Sequence, residues 1–238
     1  MATAAIPRFK SAPRPVAPWW HTGLLIAFFV LMAAGGAALQ YRVRARAALV
    51  DHRPHVAFPY VALIAGEWGL VYYVWKGGLR RAGIPLRQFV GGRWASYQAV
   101  LRDALLAFVT WMLWKGMTFC WVLWLGRGHA ASISPLMPHG VGEAVLWVLL
   151  SISAAISEEL VFRGYLQHQL TAFTGRASLA LFLQAALFGI AHGYQGVQSC
   201  LAIVLYGALL TVLALWRESL RPGMIAHAWT DIAGGLLS

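Results

Sequence analysis

Residues 144–156, AVLWVLLSISAAI, run without a charged side chain into residues 157–166, SEELVFRGYL. A helix rises about 1.5 Å per residue and needs roughly 20 apolar residues to cross about 30 Å of hydrocarbon. The apolar piece alone is too short, so a spanning helix must continue through Glu158, Glu159 and Arg163. On such a helix Glu159 and Arg163 lie four apart, stacked in the favourable acid-before-base order. Glu158 is turned about 100° away from Glu159 and is free to point elsewhere.

The rest of the chain agrees with a membrane helix. Hydrophobic residues make up 60% of the sequence and charged residues 11%, with a mean hydropathy of +0.64, which is outside ordinary soluble usage. Further apolar runs occur at Trp19 to Leu39, Phe58 to Trp75, Ala104 to Leu125, Ala177 to Ala191, Cys200 to Trp216 and Met224 to Leu237. The last three are short for full spans. The expected fold is therefore an all-α polytopic transmembrane bundle of about seven helices, within a range of six to eight, without internal repeats. Three regions are expected: a basic, Pro-containing tail (1–18), N-terminal transmembrane helices with basic loops (19–140), and a core carrying the chemistry (141–238). Cys120 and Cys200 each sit in an apolar run, which excludes a disulfide framework and a cysteine zinc site.

The net charge of +11 points to basic loops facing anionic lipid rather than to nucleic acid. The run Trp19 to Leu39 follows Arg8, Lys10 and Arg14 and ends in small residues at 33–38, so it fits a retained anchor or a cleavable signal peptide; its length favours the anchor. If all seven segments span, one side holds the leader, the loop from Lys76 to Arg102 and the turn with Arg217 and Arg221. The other holds Arg42, Arg44, Arg46, Arg53 and Arg127. The count, eleven against five, places the N-terminus in the cytoplasm by the positive-inside rule.

Charges at bilayer depth are costly, so they mark functional candidates unless they pair or snorkel. Beyond Glu158, Glu159 and Arg163, the sequence FGIAH ends the next apolar run with Phe188 and His192, and HAWTD places His227 and Asp231 in the last one. Each pair is four apart and shares a helical face. A single membrane histidine is usually a packing residue. Two histidines and an acid on separate helices, together with Glu158, point to one converging site.

These motifs, E-E-x-x-x-R, F-x-x-x-H and H-x-x-x-N/D in this order on successive hydrophobic helices, resemble the type II CaaX prenyl endopeptidase and bacteriocin-processing superfamily of intramembrane proteases. The resemblance runs from about Val141 to the C-terminus. It implies a helical bundle with an active site recessed in the membrane near the cytosolic face, acting as an endopeptidase on membrane-associated substrates, lipidated or not. Asp231 stands where Asn is common.

Peptide hydrolysis needs an activated water, a proton shuttle and donors for the oxyanion. Glu158 is the expected base, His192 steers its water, and His227 with Asp231 stabilises the oxyanion; Glu159, Arg163 and Phe188 are supporting residues. No cofactor is expected, since H-E-x-x-H is absent, although Glu158, His192 and His227 would also make a zinc set with an open position. The expected partners are the lipid bilayer and a membrane-associated peptide or protein, with no nucleic acid. The expected location is a bacterial inner membrane, the bacterial source being suggested by the excess of Arg over Lys. Two other classes use the same residues: a proteolytically silent scaffold binding a peptide or lipid tail, and a small transporter using the buried charges as an ion path.

The remaining polar residues read as structural. Glu67 and Lys115 are expected to pair with each other or to face water. His168 is expected at the interface, and His21, His52, His55, His129 and His139 in or beside loops. Trp111, Trp114, Trp121 and Trp124 read as interfacial belt and packing surface rather than a cofactor box.

Overall fold

The computed structural model describes residues 13–47, 55–125 and 136–237, and every regular element among them is helical. The helices are α1 (Trp19–Ala47), α2 (Ala57–Val74, continuing in wider π turns to Leu79), α3 (Leu86–Val90), α4 (Tyr97–Leu125), α5 (Val141–Thr174), α6 (Ala177–Ala191), α7 (Val197–Arg217) and α8 (Arg221–Leu236). Five of them, α1, α2, α4, α5 and α7, are long and apolar enough to cross a membrane, and the chain is an integral membrane protein. Helix α6 has 15 residues and α8 has 16, short as the sequence indicates. Hydropathy does not mark α3, whose five residues are too few to register. Arg8, Lys10, His52, Arg53, Arg127 and His129, and the side chains of Arg42, Arg44 and Arg46, lie outside the described residues.

Helix α5 is the axis of the bundle, and it continues through the polar sequence as its short apolar run requires. Its start is fixed by Glu143, whose carboxylate accepts from His139 N–H at 2.8 Å and from Val56 N–H at 3.2 Å. An acid in the first turn suits the helix dipole, and this one also holds the backbone before α5 and at the start of α2. From Glu159 to Leu166 the backbone widens into π turns, and every side chain there is buried. The helix stops at Gly175, whose φ of 70° is the left-handed conformation that a glycine adopts freely.

Helices α2 and α8 pack on two flanks of α5, α6 packs on α7, α1 on α6, and α4 on α8. The main apolar core surrounds the π segment, with Leu25, Phe29, Val74, Phe89, Leu187 and Leu220 among its members. Large apolar side chains such as Trp124 and Phe58 cover the outside, as expected of a surface solvated by lipid tails.

The hydrogen bonds sort the connections into two ends. At one end His168 Nε2–H donates to the Arg14 carbonyl and Leu220 N–H to the Val90 carbonyl. At the other, Tyr60 Oη–H donates to the Leu136 carbonyl. Arg14, the residues before α4 and the turn with Arg217 and Arg221 therefore share one end.

The structure fastens the N-terminal segment to the bundle at two places. His21 lies in the first turn of α1, beside the preceding loop: it is 3% exposed, stacks on Tyr73 at 4.0 Å and lies 2.7 Å from Tyr165 Oη. The neighbouring Gln169 accepts from Val16 N–H and donates to the Ala17 carbonyl and to Thr22 Oγ1. The small residues at 33–38 admit the Gly193–Gln195 turn. A Cβ on Gly36 would lie 3.4 Å from Tyr194 Cβ, and one on Gly193 would lie 3.5 Å from Ala33 Cβ.

Candidate active site

The site is built on the wide turns of α5. Glu159 and Arg163 are 0% and 1% exposed, with Glu159 Oε1 3.2 Å from Arg163 Nη1. Two opposite charges at this depth are tolerated because each neutralises the other. The guanidinium also lies 3.9 Å from the centroid of the Phe188 ring, where the π face favours a cation. Phe188 is in turn buried between the edges of His192 and His227, at ring separations of 4.8 and 6.1 Å.

His227 joins the supporting pair to the open part of the site. Its Nδ1–H donates to Glu159 Oε1 at 3.1 Å, so Glu159 serves both Arg163 and the imidazole. The opposite nitrogen, Nε2, lies 3.6 Å from Glu158 Oε2 and 3.5 Å from Asp231 Oδ2. Glu158 and Asp231 keep 24% and 32% of their side-chain surface accessible, against 0% for Glu159. The two adjacent glutamates thus have different environments: one is sealed in the core, and the other keeps part of its side chain accessible.

Close backbone approach makes this possible. A Cβ on Gly223, in the first turn of α8, would lie 3.0 Å from Glu159 Oε2, so the glycine lets α8 bring His227 against the acid. Trp147 Nε1–H donates to the Asp231 carbonyl at 2.9 Å and ties the same helix to α5 further along. Tyr206 on α7 is 4% exposed, presents its ring edge to His227 at 5.7 Å and is hydrogen-bonded to Thr230 at 2.9 Å.

His192 sits just past the end of α6, where its Nδ1–H donates to the Phe188 carbonyl at 2.8 Å. That bond leaves Nε2 with its lone pair for a water or a proton. On the turn that follows, the Tyr194 ring stacks on His192 at 6.1 Å. Burial pushes the Tyr194 hydroxyl up to about 12, so the phenol is neutral at physiological pH.

All seven residues singled out from the sequence therefore lie in one connected neighbourhood. Reasoning from motifs missed Tyr206, Tyr194 and Glu67. Glu67 on α2 accepts from Ser153 Oγ–H at 2.6 Å and lies in electrostatic reach of Glu158, Asp231 and His227. It does not pair with Lys115, whose ammonium lies 5.8 Å from the Trp111 ring. An acid in a predicted span was the available signal, but sequence spacing on one helix says nothing about which neighbour it meets. Trp111 and Trp114 pack on Trp229 and Tyr206, as packing surface should. Among the described residues no three His, Cys, Asp or Glu side chains are grouped to hold a metal ion, and both cysteines are free.

Residues 140–233 match the family model described as type II CAAX prenyl endopeptidase Rce1-like. The match covers less than half of the 238 residues but includes Glu158, Glu159, Arg163, Phe188, His192, His227 and Asp231. It leaves out Glu67. No curated protein and no solved structure matches the chain.

Proposed function

We propose that this protein is an intramembrane endopeptidase that hydrolyses peptide bonds of membrane-associated substrates. The observation that carries the reading is the double engagement of His227. Its Nδ1 is given to the sealed Glu159, while its Nε2 faces the accessible carboxyls of Glu158 and Asp231. The family match over 140–233 supports the same class of activity.

In this reading the Glu158 carboxylate takes a proton from water, and the oxygen attacks the scissile carbonyl carbon. His192, held by the Phe188 carbonyl, orients that water through Nε2. The oxyanion meets the Nε2–H of His227, acting as the doubly protonated ring whose Nδ1–H is held by Glu159 and whose Nε2 is flanked by Asp231. A donor fixed before the reaction stabilises developing charge without reorganisation, and one such donor is worth roughly 100- to 1,000-fold in rate. Arg163 and Phe188 do no chemistry; they hold Glu159 where His227 needs it.

The shared end of Arg14, Arg217 and Arg221 fits the positive-inside assignment, with the N-terminus in the cytoplasm of a bacterial inner membrane. The decisive experiment reconstitutes the purified full chain in vesicles with an internally quenched peptide carrying a lipid anchor. Cleavage by the wild type and none by Glu158→Ala supports the reading. Equal rates in the two proteins overturn it.

A further inference from the structure

The Nε2–H of His227 serves an oxyanion only if it points one way, and a histidine does not settle that by itself. The torsion that turns an imidazole about its Cβ–Cγ bond has a broad preference. Glu159 holds one atom of the ring, Nδ1, at 3.1 Å, and a carboxylate accepts a hydrogen bond over a broad range of directions. The plane of the ring is therefore set by the side chains packed on it. Two aromatic rings meet His227 nearly at right angles, Phe188 from α6 at 87° and Tyr206 from α7 at 88°. Phe188 already has a task, since its face carries the Arg163 guanidinium at 3.9 Å. Tyr206, 5.7 Å from the imidazole between ring centroids, has none in the mechanism.

Tyr206 is itself firmly held. Thr230 Oγ1–H donates to the Ala226 carbonyl of its own helix at 2.9 Å, so the 2.9 Å bond between Tyr206 Oη and Thr230 Oγ1 is donated by the phenol. Thr230 follows His227 by three residues on α8, and the phenol thus ties α7 to the helix that carries the imidazole. The Tyr206 ring is backed by Trp114 of α4, at 4.6 Å between centroids and a tilt of 30°. Tyr206 and Trp114 are 4% and 8% exposed. Next on α7 is Gly207, where a Cβ would lie 3.0 Å from Phe188 Cδ1 and 3.3 Å from Arg163 Nη2. The glycine lets α7 come close enough for the ring before it to reach His227. Trp114 lies outside residues 140–233, so the N-terminal helices reach the site through a pair of packed rings.

We propose that Tyr206 is a positioning residue: its ring, backed by Trp114, sets the plane of the His227 imidazole and aims Nε2–H at the oxyanion. This deepens the endopeptidase reading and rests on it. The aim comes from the ring, whereas the hydroxyl adds stability through Thr230, so the two contributions separate on substitution.

The test uses the full chain in vesicles with an internally quenched lipid-anchored peptide. Tyr206→Leu removes the flat ring, and kcat is expected to fall about 100-fold, the scale of a group misplaced by about 1 Å. KM is expected to stay constant, because the oxyanion exists only after attack. Tyr206→Phe keeps the ring and loses the bond to Thr230; it is expected to melt below the wild type yet to recover most of the kcat lost in Tyr206→Leu. With isotope-labelled histidine, the His227 Nδ1–H resonance, assigned by its loss in His227→Gln, is expected to be sharp in the wild type and in Tyr206→Phe. In Tyr206→Leu it is expected to broaden, whether or not the chosen peptide is cleaved. A wild-type kcat in Tyr206→Leu, an equal loss in Tyr206→Phe, or an unchanged His227 resonance in Tyr206→Leu each overturns the assignment. If Tyr206→Leu does not fold, Trp114→Leu takes its place: a lowered kcat at constant KM supports the proposal, and a wild-type kcat overturns it. Glu158→Gln inactive beside a fully active Tyr206→Leu removes only the role of Tyr206. Glu158→Gln as active as the wild type removes the reading of the site, and this inference with it.

Discussion

Glu159 holds His227 by its Nδ1, at 3.1 Å, with the same carboxylate oxygen that lies 3.2 Å from Arg163. One buried acid therefore neutralises a guanidinium and orients an imidazole. Replacing it leaves Arg163 without its counter-charge, which costs about 3 kcal/mol or more for a buried pair. Glu159→Gln should lower the folded yield on detergent-phase chromatography, and its folded fraction should turn over substrate more slowly than the wild type because His227 is no longer fixed.

Glu158 has the opposite profile, since a quarter of its side chain is accessible and its contact with His227 Nε2, at 3.6 Å, is not sealed in the core. Glu158→Gln should elute and melt as the wild type does while cleaving nothing. Equal losses of folded protein in the two glutamine variants, measured side by side, would contradict this division of labour.

Asp231 faces His227 Nε2 at 3.5 Å, and its position is set through its backbone by Trp147. An amide in its place can donate at every pH, whereas an acid donates only when protonated. Asp231→Asn should therefore retain or raise the rate of peptide cleavage. A large drop would show that the carboxylate of Asp231, rather than a donor at that place, is what the reaction uses.

Activation of water by a carboxylate requires no ion. Exhaustive chelation of the purified protein should leave the cleavage rate unchanged. Loss of activity on chelation, restored by added zinc, would establish Glu158, His192 and His227 as a metal site instead.

Gln169 fastens the segment before α1 to α5 through Val16, Ala17 and Thr22. It is fully buried, so Gln169→Ala strands several polar groups, each worth about 1 to 3 kcal/mol when left without a partner. Thermal unfolding in detergent should show a clear fall in the melting temperature. An unchanged melting temperature would mean that α1 contributes nothing to the stability of the bundle.

Much of the site was legible because helical geometry is local. Spacings of four residues put Glu159 with Arg163, Phe188 with His192 and His227 with Asp231, and the structure keeps each pair close. The sequence was silent wherever the partner came from another helix. It assigned Glu159 to Arg163 alone, because nothing along the chain reveals that α8 will bring His227 to the same oxygen. It left Glu67 to pair with Lys115 or to face water, where packing gives it Ser153 instead. It left the small residues at 33–38 open between a retained anchor, which it favoured, and a cleavage site, because nothing along the chain reveals that a turn will pack against that stretch of backbone.

What the sequence determined by itself is the membrane class, the helical spans and the pairing of the candidate side chains along each helix, because bilayer thickness and the 3.6-residue turn act on each segment independently. The tertiary structure decided the environment of each acid. Glu158 and Glu159 are neighbours with the same side chain, yet one is accessible and the other sealed. That difference comes from α8, which approaches through Gly223 and seats His227 against both carboxylates. The packing of separate helices, which no local period encodes, is what gives two identical side chains two different chemistries.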